Sequence, residues 1–221
     1  MNRINVIGSG RVGAAVAARL RDHSVDVDSD DPELVLLCVP DSAIATVAAS
    51  VEPGPWVAHV SGGTPLAALA PHERRFSVHP LQTFTRGRGA EQLDGAWAAV
   101  TGETPEAVAT ATSLAELLGL RPFELDDSSR TLYHAGAVFA SNYVVTLQRA
   151  ASLLFEAAGA PPAALEPLMR RTIENGFELT GPIARGDWVI VNAHRNAIRR
   201  ELPTLDHLYE TLAGATLALA T

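Results

Sequence analysis

The first 125 residues carry short apolar runs separated by stretches of helical spacing. Ile4 to Ile7 is a β-branched run that stops at Gly8. Arg11 to Arg21 then sets Val12, Ala15, Val16, Ala18 and Leu20 where a helix lying on a sheet needs them. Ser24 to Asp28 reads as a second strand and Glu33 to Val39 as a buried one, after which Pro40-Asp41 opens a helix running to about Val51. Trp56 to Val60, Arg75 to Val78, Ala96 to Thr101 and Arg121 to Leu125 are further strands. Thr104 and Pro105 supply the cap and first turn of a helix reaching about Leu118. Strands alternating with helices predict an α/β fold built on a doubly wound, mostly parallel sheet.

Past Asp126 the pattern becomes purely helical. Ser128 to Ala158 contains no proline and repeats apolar residues at helical spacing, which predicts one helix of about 45 Å. Gly159-Ala160-Pro161-Pro162 stops it. Ala163 to about Leu179, Asp187 to Glu201 and Thr204 to Leu219 are three more helices. The expected organisation is therefore an α/β domain over 1–125 and an all-helical domain over 126–221. A helix apolar around much of its circumference needs more cover than so short a domain gives, so a homodimer is expected.

Composition narrows the partners. The chain is 47% hydrophobic and 19% charged, enough apolar surface to offset the entropy of folding. Its net charge of −8 argues against nucleic acid or an anionic membrane as partner. The single cysteine, Cys38, sits in an apolar run and reads as a small buried hydrophobe, and the dispersed histidines point to no metal site. No apolar run is long enough to span a bilayer, so the cytoplasm is the expected compartment.

Gly8-Ser9-Gly10-Arg11-Val12-Gly13 matches G-x-G-x-x-G between a predicted strand and a predicted helix. Gly8 permits the turn, Gly10 lets a diphosphate approach the backbone, and Gly13 allows the helix to pack close, while the free amides and the helix dipole attract the phosphates. Asp26 and Asp28, at the end of the second strand, are the candidates for the adenosine ribose, and an acid there favours NAD over NADP. Only Ser29 to Pro32 separates Asp28 from the next strand. That is too short for an ordinary crossover, so a helix and a strand of the usual pattern are missing and the adenine side is expected to be thin and acidic.

Pro40, Asp41 and Ser42 follow one strand and Ser61 another, at the carboxyl ends where ligands of doubly wound sheets lie; they are candidate ribose and nicotinamide contacts, with helix initiation as the other role open to Asp41. His79 ends a third strand. On the expected long helix, His134, Ser141 and Asn142 fall within one broad face. Arg185 can grip a carboxylate through two parallel hydrogen bonds, and Asp187 either joins it or caps the next helix.

His79-Pro80-Leu81-Gln82-Thr83-Phe84, Tyr133-His134-Ala135-Gly136-Ala137-Val138-Phe139-Ala140-Ser141-Asn142-Tyr143 and Thr180-Gly181-Pro182-Ile183-Ala184-Arg185-Gly186-Asp187, together with the glycine loop, resemble an uncharacterised oxidoreductase-like family. Its members pair a Rossmann-like half with a helical C-terminal domain of unknown function. They are similar to the 6-phosphogluconate dehydrogenase-like superfamily of ketopantoate, pyrroline-5-carboxylate and deazaflavin-coenzyme reductases. The resemblance implies an NAD(P)-dependent oxidoreductase that reduces a small keto or imino acid, with His134 as proton donor, Asn142 orienting the substrate, His79 assisting, and Ser141, Arg185 and Asp187 on the substrate. The other reading of the same residues is a degenerate Rossmann module that senses a ligand or acts as a scaffold without catalysis.

Overall fold

The computed structural model describes residues 1–220. Six strands, β1 (Ile4–Ile7), β2 (Leu34–Leu37), β3 (Trp56–His59), β4 (Arg75–Pro80), β5 (Trp97–Gly102) and β6 (Arg121–Glu124), lie in sequence order in one sheet. Every neighbouring pair is parallel except β4 and β5. The two faces follow the period of two. Ile4, Leu34, Leu36, Ala58, Phe76 and Val78 pack beneath α1 (Arg11–Asp22) and α3 (Pro105–Leu117). Val35, Leu37 and Val57 pack with Ile44 and Ala48 of α2 (Ile44–Ala48) and with Leu66 and Leu69. Helical cover on both faces is why β2 is apolar at all four positions.

The expected second strand is reduced to a single parallel bridge, Arg3 to Asp26. Ile4 N donates to Asp26 O (2.7 Å) on one edge of β1, whereas Cys38 N donates to Ile7 O (2.8 Å) on the other. The chain therefore leaves β1 in one direction and, after the short 29–33 return, continues in the opposite one. This reversal is a topological switch point, and the crevice belongs at the carboxyl ends of β1 and β2. Where a crossover helix would otherwise lie, Asn5, Ile7 and Val35 floor an open cavity of ≈ 930 Å³ walled by Pro32, Ser50 and Pro53.

The single long helix expected from Ser128 to Ala158 is two helices, α4 (Arg130–Ala140) and α5 (Asn142–Ala157). Ser141 breaks the run, leaving helical geometry at φ −123° and ψ −69° as the N-cap of α5. Ser and Asn compete with the backbone for its own hydrogen bonds and so favour helix ends. Compact packing groups Met1–Ala140 as one unit, which includes α4, and starts the second at Ser141.

The second unit consists of α5, α6 (Leu165–Glu174), α7 (Trp188–Glu201) and α8 (Asp206–Leu219). Arg195 grips Asp206 through Nε–Oδ1 (3.0 Å) and a second nitrogen to Oδ2 (3.1 Å), and Arg199 Nε adds a bond to Oδ2 (2.9 Å). These hydrogen bonds, Arg195 first, hold the Asp206 carboxyl down at about 2. Apolar burial is slight: among the described residues of this unit only Leu165, Val191, Ile198 and Ala213 are buried hydrophobics, while Val189 is 82% and Phe177 70% exposed. No described helix is long and apolar enough to cross a membrane.

Candidate active site

The glycine loop has the geometry its spacing demands. Gly8 sits at φ +115°, and a Cβ there would meet Cys38 O at 2.4 Å. A Cβ on Gly13 would lie 1.9 Å from Gly8 O and 3.1 Å from Cys38 Cβ, so α1 can rest on the strand ends only without one. Gly10 is different: nothing lies within 4 Å of its Cβ position. The first bond of the α1 ladder is Ala14 N to Gly10 O (2.9 Å) and no side chain caps the helix, which leaves the amides of Arg11, Val12 and Gly13 ahead of the ladder. An open backbone approach beside unladdered amides at a positive helix end fits a diphosphate. Ser9 is exposed at the tip of the loop, and Arg11 donates to Phe84 O (3.4 Å). Asp28 ends the 24–28 segment and pairs with Arg21 (3.3 Å).

Along the same sheet edge, Asp41 after β2 and Ser61 after β3 are joined. Ser61 Oγ donates to Asp41 Oδ2 (2.9 Å), accepts from Gly63 N (3.2 Å) and Thr64 N (3.0 Å), and lies 2.9 Å from Thr64 Oγ1. The Ser61 hydroxyl, 7% exposed, is thus spent on shaping the Gly62-Gly63 turn. Pro40 and Ser42 remain exposed beside it. Beneath the turn, His59 is wholly buried, with Nδ1 accepting from Ser61 N (3.2 Å). Burial pushes its pKa down to about 3, so the ring is neutral.

Two imidazoles close over the turn. A Cβ on Gly62 would lie 2.8 Å from His79 Nε2 and 3.0 Å from His134 Cδ2, and one on Gly63 would lie 3.0 Å from His134 Nδ1. The two glycines are what let both rings approach the backbone. His79 and His134 stand edge to face with centroids 6.1 Å apart, and His79 Nδ1 shares a 2.8 Å hydrogen bond with the hydroxyl of Tyr133. Burial, with His134 and Arg130 nearby, drives the His79 pKa down to about 4; burial raises the Tyr133 phenol to about 12. At neutral pH both groups are therefore uncharged.

Arg130 anchors α4 to the sheet. Its side chain, 1% exposed, donates to Ser77 Oγ of β4 (2.6 Å), to Thr101 Oγ1 of β5 (2.9 Å) and to the Ser61 carbonyl, with Asp127 Oδ1 3.8 Å from Nε. Since Tyr133 and His134 lie one turn further along α4, this guanidinium sets where both project. Neither Arg130 nor Tyr133 nor His59 emerged as a site residue from the sequence. The available signal was an arginine opening an otherwise apolar helix, four residues before a histidine.

The remaining candidates belong to the second unit. Ser141 and Asn142 start α5 in the second unit, with Ser141 Oγ donating to Asn142 Oδ1 (3.2 Å); the helix is interrupted at Ser141, so the single helix on which they were expected to share a face with His134 is two. Arg185 is exposed in the turn before α7. Asp187 caps that helix, its Oδ1 accepting from Ile190 N (3.3 Å).

No curated protein matches the chain in sequence. Solved structures match along nearly all of it. A candidate NADP oxidoreductase from Bacteroides fragilis superposes with a TM-score of 0.83 at 21% identity, covering 98% of both chains. 1-Pyrroline-5-carboxylate reductase from Streptococcus pyogenes gives 0.62 at 17%, covering 99% of this chain and 97% of that one. A reductive aminase from Aspergillus terreus, solved with NADPH and ethyl levulinate, gives 0.70 at 17%, covering 98% and 92%. At these identities the likeness establishes the Rossmann-like fold alone. Residues 96–216, more than half the chain, match the model of the domain of unknown function DUF2520, and the protein belongs to that family.

Proposed function

We propose that the protein is an NAD(P)-dependent reductase of a small keto or imino acid. The observation that carries the reading is the open backbone at Gly10 beside the unladdered amides of Arg11, Val12 and Gly13, on the same sheet edge as the His79–His134 pair. From the end of β1 to the end of β4 is three strand spacings, about 14 Å, which separates a phosphate site from a reaction site by the reach of an extended dinucleotide. The comparisons support the same class, since solved structures of this fold include an imine reductase and a reductive aminase from Aspergillus terreus, the latter with NADPH and ethyl levulinate.

In this reading Gly8 to Gly13 hold the diphosphate. Asp28 hydrogen-bonds the adenosine ribose and favours NAD, and Pro40, Asp41 and Ser42 border the second ribose. The reduced nicotinamide supplies hydride to the carbon of the substrate C=O or C=N bond. His134 gives a proton to the oxygen or nitrogen that gains the electron pair, so that one hydride and one proton are added in all. His79, neutral at physiological pH, acts through a hydrogen bond to that same atom rather than as a charged acid. Ser141, Asn142 and Arg185 are candidates for the substrate's other polar groups, while Asp187 caps α7. A second copy of the chain covers the exposed apolar side chains of that unit, including Phe177 and Val189, which makes the working form a homodimer. The cytoplasm is its assigned compartment.

The test is a thermal melt with NADH, NADPH, AMP and buffer, followed by oxidation of the reduced coenzyme with keto acids and imines. A ligand that binds the native state alone raises the melting temperature by mass action. A shift with NADH exceeding that with NADPH, and coenzyme oxidation abolished by His134→Ala, are the expected results. No shift with either dinucleotide refutes the reading and favours a binding or scaffolding module, as the shortened 29–33 return and its open cavity also do.

A further inference from the structure

We propose that Tyr133 is a positioning residue. Its phenol donates to His79 Nδ1 and holds the imidazole in the tautomer whose Nε2–H lies over Gly62, where the reducible bond of the substrate is polarised. The proposal rests on the reductase reading for its catalytic meaning, but the tautomer itself is a property of the unliganded protein.

The geometry supplies the argument. A neutral imidazole has one N–H and one bare nitrogen, and its partners decide which is which. His79 Nδ1 is 2.8 Å from the Tyr133 hydroxyl, and among the described residues that hydroxyl has no other hydrogen-bond partner. If Nδ1 carried the proton, it would donate to a phenol oxygen and the phenol hydrogen would be left without an acceptor in the protein. With the proton on Nε2 instead, the phenol donates to the bare nitrogen. Imidazole nitrogen is much the stronger base, so this is the better hydrogen bond. Burial keeps the phenol protonated throughout the working pH range, so the donor is not lost to ionisation.

The other ring nitrogen completes the argument. Among the described residues no group hydrogen-bonds His79 Nε2, and the edge of the ring that bears it lies 2.7–2.8 Å from the Cβ position of Gly62, in room that every other residue would fill. The ring is clamped on its remaining sides by Tyr133, edge to face at 5.5 Å between centroids, and by His134 at 6.1 Å. Phe123 in turn packs against Tyr133 at 6.0 Å. A fixed ring with one satisfied nitrogen and one unsatisfied N–H is a preset hydrogen-bond donor. Tyr133 never touches the substrate in this scheme; it acts by keeping the proton on the far nitrogen.

The experiment is nitrogen-15 NMR of the histidine rings in the full chain at pH 7.5, with the His79 signals assigned through His79→Gln. The expected wild-type spectrum shows His79 protonated at Nε2 alone. In Tyr133→Phe, which keeps the ring packing, an Nδ1-protonated population appears and kcat for coenzyme oxidation falls about ten- to a hundredfold, with dinucleotide affinity unchanged. Global replacement of tyrosine by 3-fluorotyrosine gives a second readout that removes no ring: the more acidic phenol must shift the His79 Nδ1 resonance. A wild-type ring protonated at Nδ1 or mixed between tautomers overturns the proposal, as does a His79 ring that neither modification perturbs. Failure of the reductase reading is separate. It shows as absent coenzyme binding or oxidation in the wild type, whatever the histidine spectrum.

Discussion

Replacing Gly10 by alanine separates the proposed phosphate-binding role of the loop from its folding role. The backbone there, φ −68° and ψ −173°, is open to any residue, and the added methyl meets no atom within 4 Å. The folded protein accepts the change with a cost below about 1 kcal/mol, the loss expected on exchanging glycine for alanine at a helix N-cap. In the proposed reading a bound dinucleotide does not accept it, because the methyl would occupy the space through which the diphosphate reaches the amides of Arg11 to Gly13. Losing one charge-assisted hydrogen bond costs about 1.5–3 kcal/mol, which is roughly a ten- to hundredfold rise in Kd. Gly13→Ala is the control, since its Cβ would fall 1.9 Å from Gly8 O, a backbone atom that cannot swing aside. It destabilises the fold by about 3 kcal/mol through overpacking. Thermal melting and isothermal titration with NADH and NADPH on both variants read the two effects apart. A Gly10→Ala protein that binds dinucleotide as the wild type does refutes the assignment of the diphosphate to these amides.

Further expectations concern charge and assembly. His59 and His79 are held neutral in the folded protein with pKa values of about 3 and about 4, whereas an unfolded histidine takes up a proton near 6.5. The unfolded chain therefore binds more protons below that value. Their contribution is complete above pH 6.5 and is lost as the pH falls toward 4, and denaturant midpoints measured between pH 7.5 and 5 must decline; a flat profile refutes the burial of these rings. Arg130→Ala leaves Ser77, Thr101 and the Ser61 carbonyl without their donor and detaches α4 from the sheet, at a cost of about 3–5 kcal/mol in chemical denaturation. A loss under 1 kcal/mol would show that the guanidinium is not the anchor. Sedimentation equilibrium should give twice the mass of one chain, and Val189→Asp should lower that mass or unfold the helical unit; a monomer that keeps its melting temperature contradicts the dimer.

Much of this was legible from local signals. The strand-to-helix alternation and the G-x-G-x-x-G loop are nearest-neighbour patterns, and the sheet follows them closely, down to Thr104 capping α3 through its bond to Ala107 N. The missing crossover was also visible, because chain length bounds what four residues can span. Where the sequence misled, the cause was competition between local and tertiary preference. Continuous apolar spacing across Ser141 reads as one helix, and nothing within the 128–158 stretch shows that Arg130 is drawn into a pocket of hydroxyls fifty-three residues back at Ser77 and twenty-nine back at Thr101. Tyr133 was likewise invisible as a functional group, since its meaning lies in a 2.8 Å contact to His79 that only the fold creates.

The most direct measurement is a crystal structure of the protein with excess NADH or NADPH. The account predicts a diphosphate on the amides of Arg11, Val12 and Gly13 and a nicotinamide ring whose hydride-bearing carbon faces the space between His79 and His134. A well-ordered protein with no dinucleotide at Gly10, or one bound instead in the cavity over Asn5, Ile7 and Val35, contradicts it.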